Sequence, residues 1–314
     1  MFTPSTITRR AAIVGIAALA ALASACSSSS PSATTTGATT GATTANLAAT
    51  LNASGATFPK TFYEEAIAAF ADANKGVTIN YAGGGSGKGR QDLADEIVDF
   101  AGTDGTIKDA DLPGFKGGAV LYFPTVVAPI TVSYHLSGVD TLQLSGPTIA
   151  GIFERKITKW NDAAIAADNP GVTLPATDIV VVHRSDSSGT TKNFTKFLDS
   201  SAGKDNGGIW TLGADSTVEW PADTQAGEGN AGVAQAVSAT DGAIGYVDLS
   251  DAKDANLSLA LIKNKAGKFV APTLDGAAAA AAGTTVKDNL TFSTIWAAGD
   301  ATYPITAQTW IITY

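Results

Sequence analysis

The spacing of hydrophobic positions changes several times along the chain, and each change marks an element. Ala11 to Ala25 is an apolar run behind Arg9-Arg10. It is shorter than the roughly 20 residues that a membrane span needs. A basic start, a short apolar stretch and small residues before a cut site predict a secretory signal over 1–25. From Ser27 to about Ala49 the chain is Ser, Thr, Ala and Gly with Pro31, and no charged residue lies between Arg10 and Lys60. Such a stretch buries too little apolar area to offset its chain entropy, which predicts a flexible tether over 26–50.

Ordered periodicity begins near Leu51. Phe62, Ala66, Ala69 and Phe70 share one face at helical spacing, with Pro59 tolerated in the first turn. Val77 to Tyr81 reads as a strand running into a glycine-rich turn, Gly83 to Gly89. Gln91 to Ile97 then reads as a helix that closes into a short strand at Val98-Asp-Phe100. Further on, Ile179 to His183 is a buried-type strand, and Ser188 and Thr190 open a helix carrying Phe194, Phe197 and Leu198. Asn206 to Val233 reads as loop plus helix start, Ala277 to Ala282 as helix, and Tyr303 to Tyr314 as strand. Strands that end at helix mouths, repeated along the chain, predict an α/β fold with its ligand at the carboxyl ends of the strands. A length of 314 residues exceeds what one ordinary core needs and predicts two lobes.

Composition narrows the chemistry. Apolar residues make up 45% and charged residues 16%, which places the chain beyond its tether among globular proteins. The net charge of -9 offers no basic stripe for a nucleic-acid backbone, so any anion must be held by a local site. The single Cys26 excludes an intrachain disulfide, and one thiol with His135 and His183 cannot build a Cys/His zinc site. Nor does any D-x-[DN]-x-[DN]-G calcium loop appear. No cofactor or metal is expected. Cys26 follows Leu22-Ala-Ser-Ala25 and is similar to the lipidated cysteine of a bacterial lipobox, although Ala23 stands where Leu is usual. Ala23-Ser-Ala25 also satisfies the A-x-A rule of ordinary cleavage, which would leave Cys26 unlipidated.

Three helix starts are suited to an oxyanion. Thr57 and Phe58 lie at the first, and Ser86 lies within the glycine run of the second. Arg184-Ser-Asp186-Ser-Ser188-Gly189-Thr190 forms the third. Unpaired N–H groups at a helix mouth favour negative charge, and glycines let backbone approach it. Arginine adds a planar fork of donors, which Asp186 could lock in place. Taken singly, each has a plainer reading: a loop, a surface ion pair for Arg184, an ordinary N-cap for Ser188. The glycine run fits neither a P-loop, since Ala82 and Gly89 stand at the required positions, nor a nucleophile elbow, since Lys88 replaces the last Gly.

These residues resemble the phosphate-binding protein of the bacterial high-affinity phosphate ABC transporter, the PstS family. The matching pieces are Gly55-Ala-Thr57-Phe58-Pro59, Gly83-Gly-Gly-Ser86-Gly, Val98-Asp-Phe100-Ala-Gly-Thr-Asp104 and Ile157-Thr-Lys-Trp160-Asn-Asp. His183-Arg-Ser-Asp-Ser-Ser-Gly-Thr190, Gly227-Glu-Gly-Asn-Ala-Gly-Val233 and Gly242-Ala-Ile-Gly-Tyr246-Val follow in the family's order. The resemblance implies a two-lobed periplasmic-binding-protein-like fold of type II, with two crossing segments near Pro124 to Val132 and Leu259 to Lys265. Lobe I would comprise 51–128 and 262–314, and lobe II 129–261. It further implies phosphate binding by Thr57, Phe58, Ser86, Asp104, Arg184, Asp186, Ser188, Gly189 and Thr190, with Asp104 accepting a ligand proton that sulfate lacks. The plainer reading of Asp104 is a strand-end cap. Implied partners are inorganic phosphate and the transmembrane permease subunits, with the protein a lipid-anchored monomer on the extracytoplasmic face. Family members continue beyond the equivalent of Tyr314, and Lys88 stands where small residues are common. Two other classes compete: a binding protein for another tetrahedral oxyanion such as sulfate, and a phosphatase or serine hydrolase. The second would need a base beside Ser86 or Ser188, and the only nearby histidine, His183, reads as structural.

Overall fold

The structure, a computed structural model, describes residues 48–314. The expected signal, Cys26 and most of the tether lie outside the described residues. Strand β1 (Ala49–Gly55) leads into α1 (Lys60–Ala73), β2 (Val77–Gly84) into α2 (Gly85–Ala94), and β3 (Phe100–Thr103) closes this group. The long β4 (Leu121–His135) follows, then β5 (Gln143–Leu144), α3 (Gly146–Phe153), α4 (Ala163–Asp168), β6 (Val180–Arg184) and α5 (Gly189–Ala202). Next come β7 (Gln225–Gly227), α6 (Gly229–Ala239), β8 (Ala243–Asp248), α7 (Leu249–Asp254) and β9 (Ser258–Leu259). Last are β10 (Leu261–Lys263), β11 (Phe269–Val270), α8 (Leu274–Ala282) and β12 (Thr306–Thr313).

The main sheet runs β2-β1-β3-β12-β4-β8-β6-β7, with β9 also on β4. Strand β4 joins its two halves. Leu121 to Pro129 pairs antiparallel with β12, and Ile130 to His135 pairs antiparallel with β8. Parallel pairs β1–β2, β1–β3, β6–β8 and β6–β7 place the carboxyl ends of these strands together on each half. Strand β8 is buried at all six positions, because α6 covers one face and the aromatic core the other. Its sequence, Ala-Ile-Gly-Tyr-Val-Asp, is accordingly apolar on both faces. Residues from one half form a core of Leu93, Ala101, Tyr122, Trp310 and Ile312. The larger core of the other half holds Trp160, Phe153, Phe194, Phe197 and Tyr246.

The path after β10 stays with the larger core. The Tyr303 hydroxyl donates to the Ile130 carbonyl at 2.9 Å, and the Ile130 N–H donates to the Ile305 carbonyl at 2.8 Å. Tyr303 and Ile305 are fully buried there, and the chain rejoins the first half with β12.

Two local expectations differ from what is found. The glycine run is not a loop: α2 already begins at Gly85 and ends at Ala94 rather than spanning Gln91 to Ile97. The glycines are there for close approach. A Cβ on Gly89 would lie 2.6 Å from Gly55 Cα, and one on Gly87 would lie 2.1 Å from Ser187 Oγ. The cost of about 1 kcal/mol per helical glycine is offset by seating the helix directly on β1 and on the facing lobe. On α1 the buried side chain is Tyr63, whereas Phe62 and Phe70 are 51% and 42% exposed. With Ile67, Ile79, Phe100 and Ile311 they line an open apolar groove of about 290 Å³.

Candidate functional site

The site starts from β6, whose apolar residues bury the strand and deliver Arg184 to its carboxyl end, where it is only 4% exposed. Its Nε donates to Asp186 Oδ1 at 2.7 Å, and its Nη2 bonds Asp186 Oδ2, giving a bidentate fork. Burial alone would raise the Asp186 carboxyl, but the Arg184 fork and the Gly229 N–H, 3.1 Å away, outweigh it and hold the group below the usual carboxylate range. The remaining arm of the guanidinium, Nη1, donates to Thr190 Oγ1 and to Asn230 Oδ1, both at 3.3 Å.

Immediately after, Ser188 caps α5: its hydroxyl accepts from the Thr191 N–H at 3.1 Å. That leaves the hydroxyl proton available. Gly189 and Thr190 are the first two residues of the helix, so their N–H groups have no intrahelical acceptor. Phe194, Phe197 and Leu198, all fully buried, fix the helix against the core as their spacing predicts.

Across from this mouth lie Ser86 in the first turn of α2 and Asp104 just past β3, both buried. The Asp104 N–H donates to Ser86 Oγ at 3.1 Å, and that hydroxyl donates to Asp104 Oδ2 at 3.3 Å. Asp104 Oδ1 is buried and has no hydrogen-bond partner among the described residues. Burial pushes the carboxyl up to about 6, with Thr309, Arg184 and Ser86 pulling the other way. Thr309 donates its hydroxyl to the Thr103 carbonyl at 3.2 Å, which leaves Oδ1 without a donor of its own. Gly189 meets this pair so closely that a Cβ there would sit 2.3 Å from Ser86 Oγ and 2.6 Å from Asp104 Oδ2.

Thr57 and Phe58 precede α1, and the Phe58 ring is packed into the larger core, which leaves only its backbone at the helix start. Thr57 Oγ1 accepts from the Asn230 N–H at 3.3 Å and from the Asn230 amide Nδ2 at 3.2 Å. The same amide donates to Thr190 Oγ1 at 3.4 Å. The structure therefore brings eight of the nine expected residues together, while Phe58 adjoins them only as the chain neighbour of Thr57. It also adds two that the sequence reading left out, Gly229 and Asn230. Their signal was present: Gly227-Glu-Gly-Asn runs from β7 into α6, a fourth strand-to-helix mouth, with Gly229 at φ +67. Lys88 turns away from the cleft to pair with Asp92 at 2.7 Å. His183 is held on the other side of the strand end: Nδ1 lies 2.9 Å from the Arg184 carbonyl, Nε2 3.1 Å from Thr224 Oγ1, and the ring stacks on Trp220.

Four helix mouths facing one buried arginine and one unpartnered carboxylate define an α/β binding protein with its ligand cleft at the carboxyl ends of two sets of parallel strands. The model of the PBP superfamily domain matches residues 31–314. The chain is 37% identical to the phosphate-binding protein PstS of Pasteurella multocida, over 84% of this chain and 75% of that protein. It is also 37% identical to PstS of Methanocaldococcus jannaschii, over 84% of this chain and 72% of the relative. The chain belongs to the PstS family within the PBP superfamily. Among solved structures it resembles a phosphate-binding protein from Stenotrophomonas maltophilia, with a TM-score of 0.64 and 25% identity, over 85% of this chain and 79% of that one. A second, with the same fold, is a high-affinity periplasmic phosphate-binding protein (PfluDING) bound with phosphate. Its TM-score is 0.69 at 24% identity, over 84% of this chain and 80% of that one.

Proposed function

We propose that the protein captures inorganic phosphate outside the cytoplasm and delivers it to the permease of an ABC importer. The observation that carries this reading is Asp104: a buried carboxylate with an unpartnered oxygen, in a cleft whose other carboxylate, Asp186, is taken up by Arg184. A site made only of donors would serve any tetrahedral oxyanion. Phosphate keeps at least one proton near neutral pH and can donate it to Asp104 Oδ1, while sulfate would meet an unpaired like charge. Arg184, the Ser86, Ser188, Thr57 and Thr190 hydroxyls and the N–H groups of Phe58, Gly189 and Thr190 supply the donors. Asp186 holds the arginine fork flat against the ligand. Charge-assisted contacts are worth about 1.5–3 kcal/mol each, so a few suffice for a Kd of about 1 μM or below.

In a division into 51–128 with 262–314 and 129–261, β4 is one crossing between lobes. The pairing of β4 with β12 on one side of Pro129 and with β8 on the other supports that crossing. The stretch from β10 to Ile305, however, packs with the larger core, so the return crossing lies near Thr306, where β12 begins, rather than at Leu259 to Lys265. The Gly87 N–H donates to the Ser187 carbonyl at 2.8 Å and the Asn230 amide to Thr57 Oγ1 at 3.2 Å, contacts that support a closed arrangement of the two sides. Lipidation at Cys26 and a tethered extracytoplasmic location complete the proposal, supported by the apolar run and the charge-free stretch of the first fifty residues. Nothing at Ser86 or Ser188 resembles a nucleophile with its base, since His183 is engaged with Thr224 and Trp220. The direct test is equilibrium dialysis with radiolabelled phosphate. Saturation at one phosphate per chain, with Arg184→Ala weakening binding about a hundredfold or more, is the expected result. Equal binding by that variant would remove the cleft from the account.

A further inference from the structure

A second cavity, of about 750 Å³, lies beside the phosphate cleft and is separate from it. Gly87 and Ser187 line it, and the hydrogen bond from the Gly87 N–H to the Ser187 carbonyl, 2.8 Å, forms part of the wall between the two. One side of the cavity comes from α2 and the segment after β3, the other from α5 and the loop around Asp215. It is therefore built from both sides of the cleft.

Its charges are unusual for a protein with a net charge of -9. Arg90 and Lys192 are half-buried in its walls, and neither forms a salt bridge among the described residues. Arg90 donates from Nη1 to Thr103 Oγ1 at 3.0 Å and from Nη2 to Ser216 Oγ at 3.4 Å, which leaves donors of the guanidinium uncommitted. Lys192 Nζ donates to the Thr106 carbonyl at 3.0 Å and has two further protons. Lys108 and Lys116 line the cavity as well, and Lys108 is already paired with Asp215 at 2.6 Å. Asp111 and Asp95 stand at the exposed rim, and Asp95 accepts from Gln91 at 2.9 Å. Asp215 attracts both Arg90 and Lys192 through space, but its carboxylate is ion-paired with Lys108, so the half-buried arginine and lysine still repel each other and a bound anion relieves that repulsion.

We propose that this chamber is a second anion site, in which Arg90 and Lys192 hold a small multivalent oxyanion between the two sides of the closed cleft. The Ser187 and Ser216 hydroxyls line the same wall, joined by long hydrogen bonds from Ser187 Oγ to Ser216 Oγ at 3.3 Å and from Ser216 Oγ to Asp215 Oδ1 at 3.4 Å, which an anion can replace. Because its walls come from both sides, an occupant favours the closed arrangement over the open one. The Lys192 ammonium, lowered to about 8 by burial and by Arg90, Lys108 and Lys196 against the opposing pull of Asp215, would recover its proton in the bound state. This inference goes beyond phosphate capture at Asp104 and Arg184 and does not depend on it.

The probe is pyrophosphate, titrated calorimetrically into the full chain with and without saturating phosphate. The expected result is one weak pyrophosphate event in both conditions, reduced about tenfold by Lys192→Gln, the loss of one charge-assisted hydrogen bond. Arg90→Gln should do the same, and Lys192→Gln keeps the test usable if the more buried arginine is needed for folding. Binding should also weaken above about pH 8 as Lys192 deprotonates. A citrate arm separates phosphoryl from carboxylate sources of the same charge: displacement of pyrophosphate by citrate assigns both classes to the chamber. No pyrophosphate event at millimolar concentration, or equal affinity in wild type and both variants, overturns the proposal.

Discussion

Replacing Asp104 with Asn should make the empty protein more stable at neutral pH and less selective. In the folded chain burial lifts the Asp104 carboxyl from 3.8 to about 6. A raised carboxyl pKa means that the folded state holds its proton more tightly than the unfolded chain does. The stability linked to that proton is fully present below pH 3.8 and is lost as pH rises through 6. A shift of this size corresponds to about 3 kcal/mol, so at pH 7 the ionised, unpartnered Oδ1 costs the empty protein that much relative to an ordinary Asp. An amide is isosteric and carries no charge to desolvate, though it still leaves a polar atom buried. Asp104→Asn should therefore gain about 1–3 kcal/mol at pH 7 and nothing at pH 4. Guanidinium denaturation of ligand-stripped wild type and variant at both pH values reads this difference. The same substitution removes the like charge that sulfate would meet, so the phosphate-to-sulfate affinity ratio should fall by about tenfold or more. A variant that is destabilised at pH 7, or whose stability follows the wild-type pH profile between 4 and 7, would refute the reasoning.

Gly189→Ala places a methyl group 2.3 Å from Ser86 Oγ and 2.6 Å from Asp104 Oδ2, so the fold should survive while phosphate affinity drops about a hundredfold, measured by dialysis. Asn230→Ala removes the amide that joins Thr57, Thr190 and Arg184, and should weaken phosphate by about 1–2 kcal/mol, or roughly tenfold, with little change in melting temperature. Tyr303→Phe deletes the hydroxyl that donates to the Ile130 carbonyl and should lower stability by about 1–2 kcal/mol in denaturation, leaving ligand selectivity unchanged.

Much of the site was legible because its chemistry is local. Arg184, Ser188 and Thr190 sit within a few residues of each other, and the strand before them and the apolar face after them fix where they point. The facing pair was harder. That Asp104 is desolvated, and that Ser86 touches it, depends on α2 packing onto β1 and β3, a contact between segments far apart in sequence. The glycine run was misread for the same reason. Turn-like composition predicts a loop, yet here glycine is selected by what the helix rests against, and a single sequence does not show that surface. On α1 the apolar spacing of Phe62 and Phe70 correctly marked a helix but not its buried face, because Tyr63 instead meets Tyr81 and Thr125. Asn230 was missed because Asn at a helix start reads as a cap, and only tertiary structure reveals that its amide spans to Thr57 and Thr190.

Isothermal titration of the ligand-stripped protein with phosphate and then with sulfate tests the central claim most directly. Tight one-to-one binding of phosphate is expected and, at the Asp104–Arg184 cleft, no comparable sulfate event. Sulfate binding of similar affinity, or no phosphate binding by a chain shown to be folded by circular dichroism, would contradict it.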